Sequence, residues 1–359
     1  MAIILFFVCT QCLRALQGSH QDFDPKLYKR YFETSVTYAG WKALPRGVKT
    51  KPASGQNAYV ISLTTWPPRT KKGTQGIWLT IESLMRQSVK PDRIILWLSL
   101  EEYPDGLVNV PQTLIDLQKR GLEIIFVPEN DGAAKKLFPA LKAQLKANII
   151  TVDDDILYPA GWLHALVKSH QRSPQAIQAI AKSRLKVRDR ILQSYAQSSG
   201  HDTSGGRGDF LDLALGFAGV LYPYDATHKT YNGLHKRALK RKYITLIAKA
   251  DDLWFYACRV LARTPLCIVG VNAPIQQYIT FLELNEPLWR ANVLAGRNNQ
   301  VFRTIFKKVP KLGQLLDLDL SKPQCVDLDL LPLKDSYWKR FRYKVRFYFK
   351  KWVAKFAIV

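Results

Sequence analysis

Acidic residues and cysteines are both scarce in this sequence. Its 29 aspartates and glutamates stand against 53 lysines and arginines, which gives a net charge of +24. That excess favours a polyanionic partner: nucleic acid, an anionic membrane surface or a phosphorylated ligand. The five cysteines are odd in number and scattered, which excludes a disulfide framework and favours a reducing compartment. Cys9 and Cys12 form a CxxC pair, but without a second pair or a histidine at finger spacing they support zinc only weakly.

Long hydrophobic runs are also missing. The apolar stretch 1–8 is far shorter than the roughly 20 residues that a membrane-spanning helix needs, and no basic region precedes it as in a secretory signal. We therefore expect a buried or surface-inserting segment there and a soluble body for the rest of the chain. Hydrophobic residues make up 47% of the 359, enough for a sizeable globular core.

Strand-like and helix-like segments alternate along the chain. Short β-branched and apolar runs predict the strands, and apolar residues at helical spacing predict the helices. The predicted strands are 58–63, 93–98, 122–127, 148–152, 177–180 and 266–269, and the predicted helices are 77–85, 111–119, 135–145 and 160–171. Such alternation predicts an α/β fold with a mostly parallel central sheet and flanking helices.

Three consecutive carboxylates, Asp153, Asp154 and Asp155, follow the most buried of these strands. Adjacent carboxylates repel one another and need counter-charge if they are not solvated. Ligands of open α/β sheets bind just beyond the carboxyl ends of the strands, and oxygen ligands suit Mg²⁺ or Mn²⁺. The run therefore predicts a divalent-metal site at Asp153 and Asp155, with a solvated acidic turn as the alternative.

A second acidic pair, Asp251 and Asp252, precedes an apolar, aromatic-rich segment. Acidic residues are favoured in the first turn of a helix, so a structural role alone could explain both. The alternative is a general base held in a dry pocket by the aromatic residues behind it.

Two further stretches change character. Residues 186–210 are basic and rich in glycine and serine, which predicts a mobile loop that is either a lid over the site or an insertion with no role. Beyond residue 270 the chain reads as irregular, with polar clusters at Asn292 and at 297–300.

The C-terminal stretch 337–359 interleaves aromatic and basic residues and contains no acid. On a helix its aromatic residues segregate onto one face, which is typical of a basic amphipathic helix that lies in an anionic membrane surface. Binding of RNA or DNA through the same charges and rings is the competing interpretation.

Several motifs, taken in order, resemble bacterial glycosyltransferases of family-2 type with the GT-A fold, a Rossmann-like arrangement. The resemblance covers about 58–300, and the ordered set is more specific than any one motif. The motifs lie at 60–69, 79–88, 91–99, 135–141, 153–155, 219–223 and 250–255. It implies a hexosyltransferase-like enzyme that makes a cell-surface glycan such as lipopolysaccharide or capsule.

The resemblance also implies roles for individual residues. Donor binding falls to Thr64, Arg69, Asp131, Lys135, Lys136, Asp153 and Asp154. Asp153 and Asp155 would bind Mn²⁺ or Mg²⁺. If Asp153 instead faces the ribose, Asp155 would be the main metal ligand. Asp252 would be the base of an inverting transfer, oriented by Asp251, and Gly219, Tyr222 and Trp254 would form the acceptor site. For both lysines, the alternative is a solvated first turn of a helix. His228 could contact a metal or phosphate, with an ordinary surface position as the alternative. Asn298-Asn299 stands where the family tends to have Asn-Asp, which puts a carboxylate role there in doubt.

From these observations we expect a lead-in at 1–57, a catalytic domain at 58–300 and a basic extension at 301–359. The donor half would be 58–155 and the acceptor half 156–300. Expected partners are a nucleotide-sugar donor, with UDP as a guess, a glycan or glycolipid acceptor and an anionic membrane surface, but not nucleic acid. The expected location is the cytoplasmic face of the membrane. The alternative function is a basic nucleic-acid-binding protein or a metal-dependent nuclease.

Overall fold

The computed structural model describes residues 44–70, 77–198, 200, 202–226, 250–270, 279–280, 292 and 296–326. The strands of this part are β1 (Tyr59–Thr64), β2 (Arg93–Ser99), β3 (Leu122–Val127), β4 (Asn148–Thr151), β5 (Ile156–Leu157), β6 (Ile177–Ala179), β7 (Lys182–Arg184), β8 (Val187–Arg188), β9 (Ile191–Leu192), β10 (Gly206–Gly208), β11 (Asp212–Ala214), β12 (Val220–Tyr222), β13 (Leu266–Ile268) and β14 (Ile279–Thr280). The α-helices are α1 (Pro67–Thr70), α2 (Trp78–Met85), α3 (Gln112–Leu117), α4 (Phe138–Lys142), α5 (Trp162–Arg172), α6 (Tyr224–Ala226), α7 (Asp251–Leu261), α8 (Arg297–Lys308) and α9 (Pro310–Leu315).

Eight of these strands form one sheet in the order β10-β13-β6-β12-β4-β1-β2-β3. The pairs β3–β2, β2–β1, β1–β4 and β6–β13 are parallel, whereas β12 runs antiparallel to both β4 and β6. The mostly parallel α/β fold is confirmed. Because β12 is reversed, it begins at the same edge of the sheet where β4 ends, which is the edge that carries the acidic run.

The centre of the sheet is closed to solvent. Strand β4 is buried at all four positions, and β1 and β2 are buried at nearly every position, because their apolar side chains are covered on both faces. Strand β12 is also fully buried. Side chains placed at the carboxyl ends of β1 and β4 are therefore held by a rigid core.

The helix predicted over 135–145 is divided in the structure. Residues Gly132–Lys136 form a 3₁₀ helix, and α4 starts at Phe138 with a proline in its first turn. Proline has no N–H and is tolerated only in the first turn, so Pro139 starts a new helix instead of continuing the old one. The lysines at 135 and 136 thus lie on a tight turn, and both are buried. The interpretation of these lysines as a solvated helix turn was wrong.

The stretch 186–210, predicted to be a mobile loop, contains short strands in its described residues. Strands β8 and β9 form a hairpin, and Asp189 and Arg190 between them adopt the positive φ angles that a tight turn requires. Strand β10 pairs with β13 at the edge of the main sheet. Composition alone did not reveal these pairings, because the strands are only two or three residues long.

Residues 297–300, predicted to be irregular, are the start of α8, and the boundary expected at 300 falls inside this helix. Phe302 of α8 packs edge-to-face on Tyr256 of α7, with ring centroids 5.9 Å apart. Helices α8 and α9 thus pack on the main body. Residues 1–43, with Cys9 and Cys12, the stretch with His228 and the tail 337–359 lie outside the described residues. Among the helices described, none is both long and apolar enough to cross a bilayer.

A buried ion pair fixes α2, the helix that follows the β1 loop. Glu82 is fully buried and pairs with the equally buried Arg120, and Arg86 Nε donates to its carboxylate at 2.6 Å. Removing one partner of a buried pair leaves an uncompensated charge, which destabilises much more than breaking a surface pair.

We therefore expect Arg120→Ala to lower the free energy of unfolding by about 3–5 kcal/mol, measured by chemical denaturation. Arg93→Ala is the control, because its pair with Glu123 is about one-third exposed on each side, and we expect a change below about 1 kcal/mol. Equal effects of the two substitutions would contradict the assigned importance of the buried pair.

Candidate active site

The acidic run begins two residues after β4, and its middle residue faces inward. Thr65 Oγ1 donates to Asp154 Oδ2 at 2.5 Å, and Arg69 Nη1 pairs with the other carboxylate oxygen. From α2, Thr80 Oγ1 donates to the Asp154 backbone carbonyl at 3.0 Å. Asp154 thus joins the loop after β1 to the end of β4 and shapes the turn on which its two neighbours stand.

Arg69 bridges two of the three carboxylates. Its Nη2 atom lies 3.0 Å from Asp155 Oδ2, while Nη1 pairs with Asp154. Burial raises the pKa of Asp155 to about 7, with repulsion from Asp154 and Asp153 adding to the rise and Arg69 opposing it. One arginine therefore does not balance the run, which keeps an excess of negative charge.

Lys136 joins the acidic run to the second acidic pair. Its Nζ atom donates to Asp153 Oδ1 at 2.8 Å and lies 2.9 Å from Asp251 Oδ2. The lysine side chain is only 5% exposed. Burial by itself would lower the pKa of Lys136, but Asp153, Asp251 and Asp252 together raise it well above its usual value. Lys136 is therefore a buried cation between two groups of carboxylates.

Asp251 and Asp252 open α7, and Ala250 occupies the N-cap position. The Gly216 backbone amide donates to Asp252 Oδ2 at 3.2 Å. Burial, followed by repulsion from Asp251, raises the pKa of Asp252 to about 7, and Lys136 opposes the rise. A carboxyl group with this pKa can accept a proton near neutral pH, which is what a general base requires.

A buried tyrosine fixes the distance between the two acidic groups. The Asp153 backbone amide donates to the Tyr158 hydroxyl at 3.0 Å, and that hydroxyl donates to the Phe217 carbonyl at 2.9 Å. Trp162 Nε1 donates to the next carbonyl, that of Ala218, at 2.9 Å. The 3₁₀ turn Gly216–Ala218, which leads into β12, is thereby tied to the end of β4.

Other residues predicted for the donor site make different contacts. Lys135 is buried and pairs with Glu102, and its Nζ also donates to Asn130 Oδ1 at 2.6 Å. Asp131 is buried, its pKa is raised by that burial, and it lies 3.6 Å from Lys142 Nζ. Thr64 Oγ1 donates to the Trp97 carbonyl at 2.8 Å. These four contacts do not join the three residues to the carboxylate cluster, and their donor-binding roles stay predictions.

The residues predicted for the acceptor site pack in the core. Gly219 has a φ of +97°, and a Cβ there would lie under 3.0 Å from the Trp162 ring, so glycine is required. Tyr222 and Trp254 are both more than nine-tenths buried. Asn299, in the Asn-Asn pair, accepts the Tyr195 amide at 2.8 Å and donates to Ser194 Oγ at 3.0 Å. An acceptor role for Gly219, Tyr222 and Trp254 stays a prediction.

The donor set at the end of β4 fits a hard divalent cation. Asp153 and Asp155 have side chains that are 32% and 18% exposed, whereas Asp154 is 8% exposed and already bound on both oxygens. Among the residues that the structure describes, five carboxylates meet two cations here, Arg69 and Lys136. No described residues form a cluster of three or more potential protein ligands, so the remaining ligands of a metal would come from water and substrate.

Four residues of the site were not predicted from the sequence: Thr65, Thr80, Tyr158 and Gly216. Each acts through a hydrogen bond to a residue that is distant in the chain, so no local pattern identifies it. The one available signal was position, because Thr65 lies next to a predicted donor residue and Tyr158 follows the acidic run.

Comparison with known proteins gives a family match for part of the chain. Residues 72–220 match the model of Glycosyl transferase family 2. The match spans β2 to β4 and the acidic run but ends before α7, so Asp251 and Asp252 lie outside it. In this part the chain is therefore similar to glycosyltransferases of family 2. The comparison with curated proteins gives no match.

Three solved structures illustrate the likeness in fold. The mannosyltransferase PcManGT from Pyrobaculum calidifontis, in complex with GDP-Man and Mn²⁺, is 15% identical over 80% of this chain and 77% of its own, with a TM-score of 0.40. HddC from Yersinia pseudotuberculosis is 16% identical over 47% and 78%, with a TM-score of 0.30. UDP-glucose pyrophosphorylase from Acinetobacter baumanii is 9% identical over 72% and 96%, with a TM-score of 0.35. Likeness this distant implies nothing about the donor, metal or acceptor.

The raised pKa of Asp252 makes stability depend on pH. Its pKa is near the ordinary value of 3.8 in the unfolded chain and about 7 in the folded one, so its ionisation destabilises the fold as pH rises between these values. We expect Asp252→Asn to gain about 1–3 kcal/mol of unfolding free energy relative to wild type between pH 5 and pH 8. Denaturation at the two pH values measures this difference. The control Asp317→Asn alters an exposed carboxylate and should show no such trend; a pH-independent difference for Asp252→Asn would contradict the assignment.

Proposed function

We propose that the protein is a nucleotide-sugar-dependent glycosyltransferase of GT-A fold that requires Mn²⁺ or Mg²⁺ and inverts the anomeric centre. The family match over residues 72–220 and the mostly parallel α/β sheet support the glycosyltransferase itself. Metal dependence and inversion are supported by the two acidic groups at one edge of the sheet.

One observation carries this proposal. A carboxyl group with a pKa of about 7, that of Asp252, lies beside the cation that contacts Asp153 at the end of β4. An inverting transfer needs a base for the acceptor hydroxyl next to a site for the donor diphosphate. The ion pairs of Lys136 with Asp153 and Asp251, next to Asp252, support placing both in one site.

In the proposed reaction, Asp252 takes the proton of an acceptor hydroxyl as its oxygen attacks the anomeric carbon of the donor sugar. The bond between that carbon and the diphosphate breaks, and the diphosphate leaves as an anion. Asp251 is proposed to orient Asp252 or the acceptor, and Lys136 attracts the Asp252 carboxylate, while Arg69 holds Asp154 and Asp155 in position for the donor. A retaining mechanism would leave Asp252 without this task.

Asp153 and Asp155 are the residues that would hold the metal, through their exposed carboxylate oxygens. When bound, a divalent cation stabilises the charge that develops on the leaving diphosphate. The donor nucleotide is proposed as UDP by resemblance only, and Thr64, Arg69, Asp131, Lys135 and Lys136 are its proposed neighbours.

The proposed acceptor is a cell-surface glycan or glycolipid, and the proposed place of action is the cytoplasmic face of a membrane. The net charge of +24 supports an anionic surface as partner. The segregated aromatic and basic residues of 337–359 favour a membrane over nucleic acid, because one apolar stripe suits the lipid interface.

Two substitutions separate metal binding from proton transfer. Nucleoside diphosphates, screened with Mn²⁺ in a thermal-shift assay, should raise the Tm of wild type by mass action. Asp155→Ala should lose this metal-dependent shift and all turnover. Asp252→Asn should keep the shift and lose turnover by about 100-fold or more, measured as nucleoside diphosphate released from the nucleotide sugar.

Retention of turnover by Asp252→Asn would contradict its role as the base. Tight binding of nucleic acid that weakens steeply with salt, with no Tm shift from any nucleotide, would favour the alternative nuclease or nucleic-acid-binding function instead.

Deletion of 337–359 tests the membrane proposal. Each basic residue near an anionic surface contributes about 1 kcal/mol, so the truncated protein should no longer sediment with phosphatidylglycerol-containing vesicles. Its Tm shift with nucleoside diphosphate and Mn²⁺ should stay as in the full chain, which shows that the fold is intact. Vesicles of phosphatidylcholine alone are the matched control. Unchanged sedimentation with the anionic vesicles would defeat the proposal.

A further inference from the structure

Gly216 occupies a position where the backbone does not require glycine. Its φ lies outside the left-handed region that favours glycine, unlike that of Gly219 three residues later. Any small residue could adopt this conformation. A reason for glycine must therefore come from the space around it.

That space is filled by the two charged groups of the site. A Cβ built on Gly216 would lie under 3.0 Å from Asp252 Oδ1, 3.2 Å from Asp252 Cγ and 3.0 Å from Lys136 Nζ. The backbone amide of the same residue donates to the other oxygen, Asp252 Oδ2, at 3.2 Å. The backbone amide of Gly216 thus donates to one oxygen of the Asp252 carboxylate, and the absence of a side chain at Gly216 leaves room for the other oxygen.

The neighbours cannot easily make room for a side chain. Lys136 is held between Asp153 and Asp251, at 2.8 and 2.9 Å. The turn that carries Gly216 is tied down by Tyr158 and Trp162, which donate to its carbonyls at Phe217 and Ala218. Neither the ammonium group nor the turn can move without breaking a buried contact, so the Asp252 carboxylate is the group that would have to turn away.

We propose that Gly216 is a positioning residue for Asp252. The Gly216 amide orients the Asp252 carboxylate, and the absence of a side chain at Gly216 leaves room for that carboxylate. This proposal rests on the proposed role of Asp252 as the base. It assigns a task in the transfer to the segment between β11 and β12, for which the sequence offered no candidate. It also separates the base from the donor site, because Gly216 makes no contact with Arg69, Asp154 or Asp155 among the contacts described for that segment.

Gly216→Ala tests this proposal with the full chain. Turnover, measured as release of nucleoside diphosphate from the nucleotide sugar, should fall at least tenfold in kcat. The donor KM and the Tm shift with nucleoside diphosphate and Mn²⁺ should stay within twofold of wild type, since the donor carboxylates are untouched. Gly161→Ala is the matched control, because a Cβ there meets no atom within 4 Å; it should leave kcat, KM and the Tm shift unchanged.

Crystal structures of wild type and Gly216→Ala provide a readout that does not depend on activity. The variant should show the Asp252 carboxylate turned away from the residue 216 amide, with Asp153 and Asp155 in place. A kcat within twofold of wild type, or a parallel loss of the nucleotide-induced Tm shift, would overturn the positioning role. A wild type that binds nucleotide and transfers no sugar would instead overturn the proposed function, while a displaced carboxylate in the variant would still support the geometry.

Discussion

Compensation of negative charge is the constraint on which the site depends. Five carboxylates lie at one edge of the sheet, and two cations of the described residues, the partly buried Arg69 and the buried Lys136, pair with four of them. Buried charges of one sign are tolerated only with partners of the other sign. Burial, with repulsion from neighbouring aspartates, raises the pKa values of Asp155 and Asp252 to about 7, and the two cations only partly oppose this rise. In the proposed function, this excess of carboxylates favours a divalent cation, and Asp252 acts as the base.

Each of the two cations pairs with different carboxylates of the site. Arg69, on the short helix after β1, pairs with the middle and last aspartates of the run. Lys136, on the turn after β3, pairs with the first aspartate and with the helix that carries Asp252. Lys136 therefore links the end of β4 to the start of α7. A shift of Asp153 would also change the interactions of Asp251, because both carboxylates pair with Lys136.

Sequence reasoning was reliable where a property is local. Strands β1 to β4 follow from short apolar, β-branched runs, and the acidic run after β4 follows from its unusual charge. It failed where neighbours are brought together by the fold. Lys135 and Lys136 are adjacent in sequence, yet one pairs with Glu102 and the other with Asp153, because a 3₁₀ turn points them differently. The pairing of β10 with β13 and the contact of Gly216 with Asp252 are likewise invisible without the topology.

Because β12 runs antiparallel to β4, its length determines how far from the core the turn at 216–218 lies. Its far end is fixed in the core by Tyr222, and its near end delivers the turn at 216–218 to the edge where β4 stops. Each residue added to or removed from such a strand would move the turn by about 3.4 Å and exchange the faces of its side chains. The position of the Gly216 amide beside Asp252 is therefore set by the length and register of β12.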